Sequence, residues 1–211
     1  MKLKVCGIQK KEQVLALNQC GIDYIGFIFY ANSPRCVLNG DLSSEWVRSV
    51  DLQSKKVGVF VNETMEHIVE MIQEWGLDYV QLHGNESPEF CSMLKSYCGV
   101  IKSFSIGGEF FSEEKMSGYL SCVDAVLFDT LSEKHGGTGK KFDWSLVNWS
   151  AIRSSIFISG GLQEDDLDAL TRLKNEHPQL HAADVNSRFE ISPGIKDLER
   201  VDAFFNQIKL I

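Results

Sequence analysis

The sequence predicts an α/β fold, a single (β/α)8 TIM barrel of eight parallel strands over residues 1–211. Three observations carry that prediction. Short apolar runs alternate with helical patterns along the whole chain, and eight such pairs in 211 residues leave about 26 residues each, near the minimum for a strand, a crossover and a helix. The strand runs are almost continuously apolar, as expected of a parallel sheet covered by helices. No linker or composition shift interrupts the repeat, and no G-x-G-x-x-G turn follows the first strand, which disfavours an open doubly wound sheet.

In the stretch Leu3 to Ile8 a short first strand ends at Cys6, with Lys4 and Cys6 on one face and Leu3 and Val5 on the other. Lys10 to Cys20 carries Val14, Leu15 and Leu17 among polar residues and stops at Gly21, the pattern of a helix. Tyr24 to Phe29 is the second strand, the turn residues Asn32-Ser33-Pro34 mark the loop Tyr30 to Val37, and Ser43 to Val50 is helical. Lys56 to Val61 forms the third strand. The helix from Glu63 to Trp75 turns Met65, Ile68, Val69, Met71 and Ile72 inward and is capped by Gly76. Asp78 to His83 is the fourth strand, and Ser87-Pro88 opens a helix at the turn where proline loses no hydrogen bond.

The same alternation continues with Val100 to Ser105, a weaker helix near Glu113 to Leu120, and Ala125 to Asp129. A glycine-rich loop at Gly136 to Gly139 leads to a short helix around Asp143 to Trp149. Ser155 to Ser159 is followed by Gly160-Gly161 and a helix from Gln163 to Leu173. Leu180 to Val185, a polar loop through Pro193-Gly194 and a helix from Asp197 to Ile208 complete the eight pairs.

Composition narrows the function. A hydrophobic content of 44% supports one cored domain. The chain has 21 basic and 29 acidic residues, a net charge of -8, and no basic run beyond the pairs Lys10-Lys11, Lys55-Lys56 and Lys140-Lys141; a nucleic-acid partner would want a basic stripe. The six cysteines form no C-x-x-C pair and have no histidine at zinc-finger spacing, so no metal is expected. The chain enters its first strand without a signal-peptide pattern, and its longest apolar run, Tyr24 to Ala31, is too short for a bilayer. The expectation is a cytoplasmic protein with reduced thiols and no membrane partner, either monomer or homodimer.

A barrel of this kind works at the C-terminal ends of its strands. The polar residues expected there are Cys6, Gln81, His83, Asp129, Gly160, Gly161 and the stretch Asp184 to Ser187. The Lys4 ammonium beneath Cys6 would favour the thiolate and make a base near neutral pH, unless Cys6 is only a small core residue. Asp129 closes an apolar run that would desolvate its carboxyl and keep it protonated as an acid; a capping or turn aspartate is the alternative. Gly160-Gly161 and Asn186-Ser187 fall where this fold commonly binds phosphate on bare amides. Arg35 follows the second strand, where a guanidinium can grip a carboxylate, or simply be solvated. His83 could serve as catalyst, but a lone histidine at a strand end is more often hydrogen-bonded scaffold. Gly136 to Lys140 fails the nucleotide-loop pattern, which needs glycine at Lys134 and Ser or Thr at Lys141, so it reads as a lid.

In order along the chain, KVCGI, IGFIF with SPR, VGVFVN, QLHG, LFDT, GGTGKKFDW, ISGGL and DVNSRFE with SPGIKD resemble the phosphoribosylanthranilate isomerases of tryptophan biosynthesis. The resemblance implies a cofactor-independent Amadori rearrangement of N-(5-phosphoribosyl)anthranilate to 1-(2-carboxyphenylamino)-1-deoxyribulose 5-phosphate. It further implies Asp129 as general acid at the ring oxygen, Cys6 as general base at C2, and Arg35 on the anthranilate carboxylate. Phosphate would rest on the amides of Gly160, Gly161, Asn186 and Ser187, with Gln81, His83 and Asp184 toward the substrate. The chain departs from the family at Ser187-Arg188-Phe189-Glu190, where many members read SGVE. There Arg188 either meets the phosphate or points to solvent. Rival readings are a histidine-pathway aminoaldose isomerase, which would carry an aspartate in place of Cys6, and a phosphate-binding protein without activity.

Overall fold

The structure is a computed structural model, and it describes residues 1–106, 113–130, 149 and 152–211. Eight strands close a barrel: β1 (Lys2–Cys6), β2 (Tyr24–Ile28), β3 (Lys55–Phe60), β4 (Tyr79–Leu82), β5 (Gly99–Ile106), β6 (Ala125–Thr130), β7 (Ser155–Ile158) and β8 (Leu180–Val185). Each pairs in parallel with the next, and β8 returns to β1 with Lys4 beside Asp184. The fold class expected from the sequence is therefore observed.

Around the barrel lie α1 (Lys11–Cys20), α2 (Ser44–Ser49), α3 (Met65–Trp75), α4 (Pro88–Leu94), α5 (Glu113–Ser117), α6 (Leu167–Glu176) and α7 (Leu198–Ile208). Their ends follow local chemistry. The Ser43, Thr64, Ser87 and Asp197 side chains each accept a backbone N–H three residues on, satisfying a donor the helix itself cannot. Gly21 and Gly76 take the left-handed conformation that ends α1 and α3.

The strands bury both faces, in two different ways. Outward residues such as Leu3, Val5, Phe27, Val80, Val126 and Ile158 pack with helix residues including Leu17, Ile68, Leu170 and Phe204. Inward residues Tyr24, Val57, Ile101, Leu127 and Phe157 form a separate buried cluster that fills the barrel. The alternation read from Leu3 to Cys6 follows this division, since Lys4 is buried inside.

Two elements differ from expectation. The helix predicted at Gln163 to Leu173 begins as a 3-10 turn, Glu164–Asp166, and α6 then continues to Glu176. The turn tightens because the Asp166 carboxylate accepts the Gln163 backbone N–H at 3.1 Å. The polar loop after Val185 is ordered as a 3-10 turn (Ser187–Phe189) and an antiparallel ribbon of β9 (Glu190–Ser192) and β10 (Ile195–Lys196). Strands of three and two residues leave no periodicity to read. The predicted lid at Gly136 to Lys140 lies outside the described residues, and so does the helix around Asp143 to Trp149 apart from Trp149 itself.

Candidate active site

A pocket of about 370 Å³ opens at the C-terminal end of the barrel, and all ten residues singled out from the sequence line it. Cys6 closes β1, Arg35 follows β2, and Gln81 and His83 come from the end of β4. Asp129 lies near the end of β6, Gly160 and Gly161 follow β7, and Asp184, Asn186 and Ser187 come from the end of β8 and just beyond it. Residues scattered over most of the chain thus converge because parallel strands all deliver their C-terminal ends to one rim.

Cys6 is buried, and its sulfur fits because β2 offers Gly26 directly opposite: a Cβ built there would stand 2.8 Å from Sγ. Its protonation departs from the sequence expectation. Burial pushes the Cys6 thiol up, Lys4 pulls it back, Asp184 opposes Lys4, and Lys196 pulls in the same direction as Lys4. The sequence shows the cation below the sulfur and hides the anion that neutralises it. Asp184 Oδ1 and Oδ2 accept from Lys4 Nζ at 3.0 and 2.9 Å, and both side chains are buried. Burial alone would lower Lys4, but the pull of Asp184 and Cys6 holds it above its ordinary value, while burial pushes the Asp184 carboxyl up against the pull of Lys4.

Asp129 also differs from its expected setting. Its side chain is 30% exposed rather than sealed among apolar residues, with Oδ2 3.4 Å from His83 Nε2. The other ring nitrogen of His83 lies 3.1 Å from the Gln81 amide nitrogen. When that amide donates to Nδ1, the neutral ring carries its proton on Nε2 and faces Asp129 with a donor. Gln81 Oε1 is buried with no partner among the described residues.

Arg35 is only partly free for a ligand. Its Nε donates to both oxygens of Glu190 at 2.9 Å and its Nη2 donates at 2.6 Å, a fork–fork pair that leaves Nη1 toward other partners.

Across the mouth, Gly160 and Gly161 have φ of +101° and +68°, which favours glycine and brings bare backbone to the pocket wall. The first amides of the 3-10 turn at Ser187 have no acceptor within that turn. Arg188 lines the same corner, with Nε 3.8 Å from where a Cβ on Gly161 would lie, and it makes no hydrogen bond or ion pair among the described residues. Sequence reasoning missed Glu190, Lys196 and Gly26; all three lie in the motifs quoted above, but only the fold shows what they touch. Among the described residues, no group of three or more His, Cys, Asp or Glu side chains is placed to hold a metal ion, and no helix is long and apolar enough to cross a membrane.

Comparison with known proteins decides the family. The model of N-(5'-phosphoribosyl)anthranilate (PRA) isomerase matches residues 3–207. The chain belongs to this family. PRA isomerases of Parabacteroides distasonis and Phocaeicola vulgatus are 41% and 40% identical to it, over 99% of this chain and 93% and 98% of theirs. The solved PRA isomerase of Thermotoga maritima superposes with a TM-score of 0.81 at 32% identity, covering 100% of both chains. A PRA isomerase solved with reduced 1-(o-carboxyphenylamino)-1-deoxyribulose 5-phosphate superposes with a TM-score of 0.78 at 30% identity, also over 100% of both. The activity is that of a PRA isomerase, an intramolecular aldose–ketose isomerisation in tryptophan biosynthesis.

Proposed function

We propose that Cys6 and Asp129 divide the proton transfers of this isomerisation between them. Asp129 protonates the furanose oxygen of N-(5'-phosphoribosyl)anthranilate as the C1–O bond breaks, leaving an open-chain iminium between C1 and the anthranilate nitrogen. That positive charge acidifies the C2 hydrogen. Cys6, as thiolate, removes it; the electron pair forms the C1–C2 double bond of an enolamine, which tautomerises to the aminoketone product. No atom is gained or lost, and both steps are general acid–base catalysis.

The observation that carries this reading is the convergence of a buried sulfur and a partly exposed carboxylate on one pocket, from β1 and β6. The partial exposure of Asp129 suits an acid that must be reprotonated each turnover, and His83 orients it. The buried Lys4 and Lys196 favour the thiolate once the iminium forms nearby. Arg35 Nη1 takes the anthranilate carboxylate, Gln81 Oε1 and Asp184 face the sugar hydroxyls, and the amides of Gly160, Gly161, Asn186 and Ser187 hold the phosphate. Arg188, beside Gly161 and unpaired among the described residues, adds a guanidinium to that cradle. Residues 1–211 act as one domain, in the cytoplasm. The test is to follow the fluorescence of the aminobenzoate substrate: wild type consumes it, and Cys6→Ala and Asp129→Asn, both still folded, do not.

A further inference from the structure

Beside the pocket, two buried side chains that do not line it join its two anion-binding ends. Glu190, almost wholly buried, takes the Arg35 fork on one side; on the other its Oε1 accepts from Lys196 Nζ at 2.7 Å and from the Gly194 amide at 3.0 Å. Lys196, with no exposed side-chain surface, donates onward to Asn186, to the backbone oxygen at 3.3 Å and to Oδ1 at 2.7 Å. The chain of bonds thus runs Arg35, Glu190, Lys196, Asn186. Its two ends both lie against Gly7, the residue after Cys6, where a Cβ would stand 3.0 Å from Asn186 Oδ1 and 3.1 Å from Arg35 Cδ.

We infer that Glu190 is a positioning residue that sets the distance and orientation between the guanidinium gripping the substrate's carboxylate and the turn cradling its phosphate. The inference rests on the binding roles given above to Arg35 and Asn186. Three features support it. Arg35 is long and flexible, and the fork onto Glu190 removes its freedom before substrate arrives. Lys196 ties the same carboxylate to the residue that opens the phosphate turn. The ribbon of β9 and β10, which adds no strand to the barrel, brings Glu190 and Lys196 to that point and gives its short hairpin a purpose.

The sign of the effect separates this role from simple electrostatics. Glu190 is an anion near a ligand with two anionic ends, so by Coulomb repulsion alone its neutralisation would tighten binding. Positioning demands the opposite. In Glu190→Gln the dissociation constant of reduced 1-(o-carboxyphenylamino)-1-deoxyribulose 5-phosphate, by calorimetry, should rise about tenfold or more, because a charged hydrogen-bond network is broken. KM should rise with it while kcat changes by no more than a few-fold, and inorganic phosphate should compete less well. Tighter or unchanged binding overturns the inference. Should Glu190→Gln not fold, Glu190→Asp keeps the charge but is a methylene too short to span Arg35 and Lys196; it should weaken the probe in the same direction, and wild-type affinity in that variant overturns the inference equally. If instead Arg35→Ala leaves the probe's affinity intact and inorganic phosphate does not compete with the probe in the wild type, the binding roles themselves fail. If both of those effects are present and Glu190 is silent, only the positioning role fails.

Discussion

The two ends of this barrel are lined by different chemistry. Toward the N-terminal ends of the strands, the interior is closed by rings: Tyr24 lies edge-on to Phe157 and Tyr79, and its hydroxyl meets His181 Nε2 at 2.8 Å. Toward the C-terminal ends the interior turns polar and ionic, with Lys4 paired to Asp184 beneath the pocket that Asp184, Cys6, Gln81 and Asp129 line. The lower layer is stabilised by apolar burial and close packing. The upper layer loses solvation for every buried charge and holds together only because each charge has a partner. The difference teaches where substitutions should act: stability below, turnover above.

The largest effect should come from the upper end with the least structural cost. Cys6→Ala or Asp129→Asn should lower kcat by about 100- to 10,000-fold, with a thermal midpoint close to wild type; steady-state kinetics beside a melting curve checks both halves. Near-normal turnover would erase the functional side of the contrast.

Next comes Lys4→Met, which fits the space but strands the Asp184 carboxylate. Breaking one partner of a buried pair costs about 3–5 kcal/mol, so this residue of the upper layer should behave as a stability residue, measurable by urea unfolding. At the lower end, Phe157→Ala should cost a similar amount, about 3–5 kcal/mol, yet leave KM and kcat of the folded fraction almost unchanged. A large kinetic defect there would break the division between layers.

Gly26→Ala tests how tightly the layers are fitted. Its methyl group would press on Cys6 Sγ and on backbone at 3.0 Å, and overpacking of that kind costs about 1–3 kcal/mol. The expected outcome is a modest loss of stability with a disproportionate loss of kcat, because the sulfur must turn away from the pocket.

The smallest effect is one of pH. Burial raises the Cys6 thiol above its ordinary value of 9.0, so the folded protein deprotonates later than the unfolded chain. The stabilisation tied to this group is complete below the unfolded value and is lost as pH climbs through the folded one. Catalysis by thiolate moves the other way, and kcat/KM should still be rising through that alkaline window. Stability falling while activity rises, with the stability slope made shallower in Cys6→Ala because the other raised thiols and tyrosines remain, is the signature to seek in paired melting and rate profiles.

How far the sequence could be read varied with the range of the interaction. Strand and helix order, the helix opening at Ser87-Pro88 and the stops at Gly21 and Gly76 depend on neighbours a few residues away, and they were legible. So was the rim of candidate residues, because a barrel's strand ends are countable from the repeat. Three settings were not. Cys6 was read with Lys4 alone, although Asp184, 180 residues beyond Lys4, pairs with that lysine. Asp129 was read from the apolar run before it, while its exposure depends on the open mouth above. Arg35 was read as free, although Glu190 holds it across 155 residues.

The alternation of apolar runs, the turn residues and the ordered motifs were enough to determine a closed parallel barrel and the rim on which its polar groups gather, because those features are set by local geometry and by a repeat that must close on itself. Which charges meet inside that rim was decided only by tertiary structure. A charge's state depends on its nearest partners and on its distance from water, and strands far apart in the chain supply both.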